Sequence, residues 1–349
     1  MHGAGGRERP KGAGTGIGEA AMRWRTVALT GGAAVGAAAL FNEAVARSVG
    51  PLANPLGGEE GSWHWRGHRI AWTRRGSGPA VLLVHAIHAA ASSYEWRHAV
   101  DRLAGAHTVW TLDLLGFGRS ERPAARYSAA LYVALLDDFT REVVAAPCAL
   151  VGSSLSGAYT AALAARDAHR FPALVVVTPT GVKQLSWPPN TATEALRAAI
   201  ESPFLGTTLF NGLVSRPSIR LFLEQAYRRE GWVTDAVVDA YYATAHQPNA
   251  RFAPAAFVGM GLNLNVRDAL RRLEQPLLIT WGAQAREVPR AELDGWRELR
   301  PDAEVAEFDP SGSLPHDERA DDWCARVLQF LARHHTEHGA DAREMAGRA

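Results

Sequence analysis

A serine among small residues separates an apolar run from a helical pattern, in the stretch VGSSLSG at residues 151–157. The apolar run at residues 148–152 predicts a strand, and residues 155–166 predict a helix. So short a turn needs small side chains two residues before its apex and two and three residues after it. Gly152, Ser156 and Gly157 satisfy this requirement around Ser154. The sequence therefore predicts a sharp strand–turn–helix junction with Ser154 at its apex.

Apolar runs alternate with helical patterns along most of the chain. A hairpin is predicted at residues 63–74, followed by strands at 80–85, 107–112, 148–152, 173–177, 276–281 and 304–308. This alternation predicts an α/β fold, with a mostly parallel twisted sheet and helices on both faces. Residues 183–263 break the pattern, with helices predicted at 195–201, 218–229 and 236–244 and no buried strand. We therefore expect a core of residues 47–182 and 264–338, an inserted helical cap of 183–263, and a tail of 339–349.

The first 46 residues differ in composition from the rest. Residues 1–20 are rich in glycine and charge, which predicts a flexible segment. Arg23 and Arg25 then precede an uncharged run from Val27 to Phe41, which is shorter than the roughly twenty apolar residues of a membrane span. Small residues at 44–46 are typical of a signal-cleavage site. Three interpretations of this run stay open: a signal peptide, a helix that rests on a membrane, or a helix that packs on the domain. The first predicts export, the second a membrane-associated protein and the third a cytoplasmic one.

Charge and cysteine content narrow the expected partners. The formal net charge is +1 over 349 residues, so the chain has no strong electrostatic field that would favour binding of nucleic acid. Cys148 and Cys324 fall in a predicted strand and a predicted helix and have no metal-site spacing, so we interpret them as buried free thiols. We expect no nucleic-acid partner, no metal and no cofactor.

Three motifs in a fixed order resemble the α/β-hydrolase family, in its branch with a helical cap. They are LLVHA at residues 82–86, DLLGFGRS at 113–120 and the turn around Ser154. The resemblance covers residues 60–335 and implies that Ser154 is a nucleophile that attacks an acyl carbon. It also implies an oxyanion hole formed by the backbone N–H groups of Leu155 and Ile87. Asp113 is expected to hold the turn at 116–120 rather than to act in catalysis.

The acid and the histidine of the family's triad are replaced at their usual positions. The family pattern Trp-Gly-x-x-Asp becomes Trp-Gly-Ala-Gln-Ala at residues 281–285, so Ala285 takes the place of the acid. The pattern Gly-His-x-Pro-His-x-Glu has Ser313 at its first histidine. Glu287 is the candidate acid, and His316, three residues after Ser313, is the candidate base.

Two other histidines are further candidates for the base, His88 beside the expected oxyanion loop and His246 in the expected cap. Several aromatic residues are candidates to line an apolar pocket between core and cap: Trp96, Phe117, Trp187, Phe204, Phe210, Tyr241 and Tyr242.

Two functions are compatible with these residues. The first is an atypical serine hydrolase that acts through Ser154 on an ester or related acyl compound. The second is a catalytically degenerate protein of the same fold that binds a small apolar ligand or a partner. A third, weaker interpretation is cleavage of a carbon–carbon or carbon–halogen bond; the halogen case would need a carboxylate nucleophile where Ser154 stands. Membrane contact through the run from Val27 to Phe41 is compatible with both the hydrolase function and the binding function.

Overall fold

The computed structural model describes residues 35–203 and 205–346 of the chain, and within them it contains one eight-stranded sheet. The strands are β1 (Glu59–Trp65), β2 (His68–Arg75), β3 (Ala80–Val84), β4 (Thr108–Leu112), β5 (Cys148–Ser153), β6 (Leu174–Val177), β7 (Leu277–Gly282) and β8 (Glu304–Phe308). Their order in the sheet is β1-β2-β4-β3-β5-β6-β7-β8. Only the pairs β1–β2 and β2–β4 are antiparallel. The predicted α/β fold with a mostly parallel sheet is confirmed.

Thirteen helices are seen in the described residues. They are α1 (35–47), α2 (Val100–Leu103), α3 (Ala129–Phe139), α4 (Leu155–Ala164), α5 (Thr191–Glu201), α6 (Leu205–Leu213), α7 (Arg216–Ala226), α8 (Asp235–Ala245), α9 (Phe252–Val258), α10 (Arg267–Arg272), α11 (Arg290–Leu299), α12 (Pro315–Glu318) and α13 (Ala320–Ala346). A 3₁₀ turn at Ser93–Trp96 and a π-helical turn at Thr140–Val144 complete the set.

The sequence also predicts a helix at 92–103, which begins with a capping serine, and another at 128–144, and both differ from the structure. The helix expected from 92 to 103 is a 3₁₀ turn followed by α2, and the one expected from 128 to 144 changes to π geometry after Phe139. The expected flexible segment at 1–20 and residues 27–34 of the uncharged run lie outside the described residues, which begin at 35.

Alternate residues of the central strands enter two different cores. On β3, Leu82 and Val84 pack into one apolar cluster, while Val81 and Leu83 pack into the other on the opposite face. All five residues of this strand are buried, as the continuous apolar run predicts for a strand covered on both sides.

A third apolar cluster lies among α5 to α9, five of the six described helices between β6 and β7. It contains Phe210, Leu223 and Tyr241 together with Ala90, which belongs to the loop after β3. The helices of this insertion therefore pack against the loops at the carboxyl ends of the parallel strands. The division of the chain into core and cap stays a prediction.

A buried carboxylate on α11 joins the start of the insertion to the core. Glu292 accepts hydrogen bonds from the backbone N–H groups of Val182 (2.6 Å), Lys183 (2.8 Å) and Gln184 (2.7 Å). Three otherwise unpaired donors at the end of the loop after β6 are satisfied in this way. Glu292 thus fixes the point at which the chain leaves the sheet.

We predict that Glu292→Gln lowers the free energy of unfolding by about 2–3 kcal/mol, because an amide replaces the charged acceptor of three backbone donors. Glu298→Gln, an exposed change on the same helix, is the matched control and should cost almost nothing. Urea denaturation followed by circular dichroism measures both. Equal stability of the two variants would contradict this role of Glu292.

Candidate active site

Ser154 occupies the junction between β5 and α4 in a strained conformation. Its backbone angles are φ +52° and ψ −121°, a region that residues with a Cβ rarely adopt. Its N–H donates to the carbonyl of Val177 at the end of β6 (2.9 Å). This places Ser154 at the carboxyl ends of the parallel strands, the edge at which α/β sheets bind ligands.

The small residues around Ser154 are required by close contacts. A Cβ on Gly152 would lie 2.4 Å from Thr160 Oγ1 and 2.6 Å from the carbonyl oxygen of Ser156, so no side chain fits there. A Cβ on Gly157 would lie 3.2 Å from Pro179 Cβ. Ser156 has a role that glycine lacks, because its hydroxyl donates to the carbonyl of His85 (2.6 Å) and joins α4 to the loop after β3.

The two candidate oxyanion donors have free amides on the loops beside Ser154. Leu155 is the first residue of α4, so its N–H has no intrahelical acceptor. Ile87 lies in the loop after β3, and its N–H finds no acceptor among the described residues. Ile87 also lines the cavity described below.

Buried polar groups fix the loop that carries Ile87. Glu95 accepts a hydrogen bond from Ala86 N (3.0 Å), while His85 Nδ1 contacts the carbonyl of Ala86 (2.7 Å). The N–H of Leu114 donates to His85 Nε2 (3.0 Å), which assigns the ring proton to Nδ1. Burial raises the pKa of Glu95, but His316, His85 and the Ala86 N–H outweigh burial and hold that pKa below its usual value. Glu95 is therefore ionised at neutral pH.

Ser154 opens into a cavity of about 200 Å³ with mostly apolar walls. Ile87, His88, Glu287 and Ser313 share this cavity with Ser154. The remaining lining residues are Ala86, Ser153, Thr178, Thr180, Gln184, Leu185, Phe222, Ala226, Tyr241, Phe257, Val288 and Leu314. The structure thus brings the candidate nucleophile, one candidate oxyanion donor and the candidate acid to one space.

Glu287 and Ser313 are neighbours in the lining of this cavity. Burial raises the pKa of Glu287 above its usual value, and the nearby Ser313 hydroxyl opposes that shift. Glu287 Oε1 and Ser313 Oγ are both inaccessible to solvent and lack a hydrogen bond of normal geometry within the described residues. A carboxylate and a hydroxyl that lack ordinary partners therefore lie in the same cavity as Ser154.

His88 is the histidine whose side chain lines this cavity. Its ring stacks on Tyr241 at 5.6 Å with an interplanar angle of 8°, and its Nδ1 lies 3.3 Å from the N–H of Ala90, which donates to it. Burial lowers the pKa of His88 to about 4, although Glu95 acts in the opposite direction. His88 is therefore a neutral imidazole at neutral pH, and a weak proton acceptor.

The structure places His316 outside the cavity lining. Its side chain is 0% exposed and packs on Trp96, with ring centroids 4.3 Å apart. Its Nε2 lies 3.5 Å from Glu95 Oε1. Because α12 turns His316 toward the core beneath the cavity, the ring supports Glu95 instead of facing the space in front of Ser154. We therefore do not retain His316 as the base.

The other predicted residues are also separated from Ser154. His246 stacks on Tyr242 at 3.9 Å and binds its carbonyl through Nδ1 (2.8 Å), and it is absent from the cavity lining. Asp113 accepts from Ser93 N (2.7 Å) and Arg119 N (3.0 Å), which is a structural role.

Of the seven candidate pocket aromatics, Tyr241 lines the cavity. Trp96, Phe117, Phe210 and Tyr242 are buried elsewhere, Trp187 is exposed, and Phe204 lies outside the described residues.

No group of three or more histidine, cysteine, aspartate or glutamate side chains could hold a metal ion in the part of the chain that the structure describes. Cys148 and Cys324 are buried free thiols, as their positions predict.

The chain belongs to the alpha/beta hydrolase family, whose profile matches residues 81–327. It is 38% identical over 109 residues to an uncharacterized protein of Mycobacterium tuberculosis, a stretch that spans 31% of this chain and only 30% of that relative. It is 24% identical to the 2-hydroxy-6-oxo-6-(2'-aminophenyl)hexa-2,4-dienoic acid hydrolase of Metapseudomonas resinovorans, over 76% of this chain and 89% of that enzyme.

A solved structure with a similar fold is a serine hydrolase involved in carbazole degradation, the CarC enzyme. The TM-score is 0.66 at 20% identity, over 78% of this chain and 98% of that one. At this identity the likeness establishes the fold alone.

The strained turn gives a prediction for the stability of two variants at its apex. We predict that Ser154→Gly is more stable than Ser154→Ala by about 1–2 kcal/mol, because glycine adopts a positive φ without steric cost. Chemical denaturation of both variants measures the difference. Equal stability, or a more stable alanine variant, would show that the turn is relaxed in solution.

Proposed function

We propose that this protein is a serine hydrolase that acts on an ester or related acyl compound with an apolar acyl part. Ser154 Oγ attacks the acyl carbon, and the N–H groups of Leu155 and Ile87 stabilise the oxyanion. The observation that carries this proposal is the strained position of Ser154 at the mouth of a largely apolar cavity. Strain of this kind persists where function requires it.

Glu287 is the proposed proton acceptor, acting through the hydroxyl of Ser313. The most effective general base has a pKa near the working pH. The pKa of Glu287 is raised toward that range by burial, whereas that of His88 is lowered to about 4. By resemblance, Ser313 stands where the family has its histidine, and a hydroxyl both accepts and donates a proton.

The proposed reaction has two balanced steps. In the first, the proton of Ser154 passes to Ser313, and the proton of Ser313 passes to Glu287, while the new Oγ–carbon bond forms. The bond from the acyl carbon to the leaving alcohol then breaks, and the alcohol takes the proton back along the same route, which leaves an acyl-enzyme. In the second step, water attacks the acyl carbon and gives up its proton to Glu287. The bond between the acyl carbon and Ser154 Oγ breaks, and the proton returns from Glu287 through Ser313 to Oγ, which releases the acid and regenerates Ser154 and ionised Glu287.

The substrate's acyl part is expected to be apolar because of the walls that continue beyond Ser154. Phe222, Tyr241 and Phe257 line both the cavity at Ser154 and an adjoining one of about 260 Å³. The second cavity adds Leu213, Val214 and Ile219, among others. The similarity to the Metapseudomonas resinovorans hydrolase supports hydrolysis as the reaction class.

A second candidate function is binding of an apolar ligand without turnover. It is favoured by one observation: within the described residues, no histidine hydrogen-bonds to Ser154 Oγ. In that case the cavity would hold a ligand, and Ser154 would be kept only for the geometry of the turn.

Labelling with a fluorophosphonate, followed by intact mass, separates the two functions. We predict one adduct per chain, which is lost in Ser154→Ala. We also predict that the labelling rate of the unmodified chain falls as the pH drops through the raised pKa of Glu287, above the usual glutamate value of 4.5. The labelling rate should fall at low pH because only the ionised carboxylate of Glu287 accepts a proton.

In the Glu287→Gln variant, the labelling rate should fall by about 10²-fold or more and lose this pH dependence, because the variant lacks the base. His88→Asn is the matched control. If His88 is the base instead, the labelling rate of the unmodified chain will fall only near pH 4, and the His88→Asn variant will not be labelled. Absence of any adduct on folded protein would favour the binding function.

A further inference from the structure

A row of leucines on α6 faces solvent. Leu205, Leu209 and Leu213 recur at intervals of four, so they lie on one face of this helix, and their exposed fractions are 75%, 45% and 59%. Gly206, Phe210 and Asn211 are buried on its other side. The helix contains no charged residue. Three exposed leucines on an uncharged helix are unusual for a surface that faces only water.

The neighbouring elements extend this surface. On α1, the side chain of Asn42 donates to Thr208 Oγ1 and accepts from Asn211 Nδ2 (3.0 Å each), which joins α1 to α6. Val35, Leu40 and Phe41 on α1 are exposed, as are Leu221 and Phe222 on α7 and Val258 on α9. We call the exposed apolar residues of α1, α6, α7 and α9 the apolar face.

Three residues of the apolar face also line a cavity. Leu213, Phe222 and Val258 are exposed and also line the cavity of about 260 Å³. That cavity shares His88, Phe222, Tyr241 and Phe257 with the one at Ser154. An apolar chain that enters among these residues therefore reaches Ser154 along apolar walls.

We propose that the apolar face docks on the surface of a lipid bilayer, so that an acyl chain enters the cavity from the membrane. Apolar side chains on one face of short helices suit the interface between head groups and acyl chains. None of the described helices is long and apolar enough to cross a bilayer, which agrees with a helix lying on the surface.

The sequence that leads into α1 favours lipid over a protein partner. The uncharged run from Val27 to Phe41 reaches into α1, whose exposed Val35, Leu40 and Phe41 belong to the apolar face. Residues 1–26 contain five lysines and arginines against two glutamates. A positive segment before an apolar one complements the anionic head groups of a bilayer. This inference does not depend on the reactivity of Ser154.

Flotation of the full chain with vesicles tests the proposal. We use phosphatidylcholine vesicles with a minor fraction of phosphatidylglycerol, and expect the unmodified chain to float with them. Leu205→Asp with Leu209→Asp should weaken partitioning at least about tenfold, because two apolar side chains become charged. Both residues are absent from the cavity linings. The matched control, Ala106→Asp with Ala146→Asp, adds the same charge at exposed sites before β4 and β5 and should float normally.

A fluorescent label gives a second measurement that does not require the charged variant to fold. Because Cys148 and Cys324 are buried, a nitrobenzoxadiazole dye will react selectively with Leu209→Cys. We expect its emission to shift to the blue and brighten when vesicles are added, and no change for the same dye on Ala146→Cys.

Two results would overturn the docking proposal. One is an unmodified chain that stays with the protein fraction, and the other is a dye at residue 209 whose emission does not change. If size-exclusion chromatography with light scattering shows a dimer that Leu205→Asp with Leu209→Asp dissociates, and no vesicle binding occurs, the apolar face binds a second copy and the lipid proposal is wrong.

Discussion

The strained backbone of Ser154 is the constraint on which the site depends. A positive φ at this residue turns the chain sharply from β5 into α4 and leaves the hydroxyl at the sheet edge, facing the cavity. The turn persists because its surroundings leave no alternative: Gly152 touches the first turn of α4, and Ser156 binds the loop after β3. A local cost of about 1–3 kcal/mol is offset by packing throughout the sheet.

Buried carboxylates fix the loops around Ser154. Glu95 binds the N–H of Ala86 in the oxyanion loop, and Glu292 binds three N–H groups at the start of the insertion. Glu318 accepts from Gly312 N (2.5 Å), next to Ser313, and from the N–H groups of Arg228 and Arg229. A buried carboxylate is costly unless hydrogen bonds compensate it, and each of these three accepts from backbone N–H groups of the loops that it holds. The loops are therefore preorganised, which is what a catalytic or ligand-binding site requires.

Local patterns predicted the sheet and the turn at Ser154, because strand burial and small-residue spacing act over a few neighbouring residues. The cavity was harder to predict. The sequence offers both His316 and His88 as candidate bases but does not show which ring faces the cavity. His316 packs on Trp96 and lies beside Glu95, and both of these residues are far from it along the chain. The helix α6 was missed because its glycines and threonines are poor helix formers; tertiary packing overrides that preference.

The fluorophosphonate labelling rate of Ser313→His tests the proposed proton route from Ser154 through Ser313 to Glu287. On this proposed route residue 313 lies between Ser154 and Glu287, so an imidazole there should accept the serine proton while Glu287 orients it. We predict a rise of about 10²-fold or more, with a new acid limb near the ordinary histidine pKa of about 6.5. A folded variant that labels at the unmodified rate would contradict this arrangement of Ser154, Ser313 and Glu287.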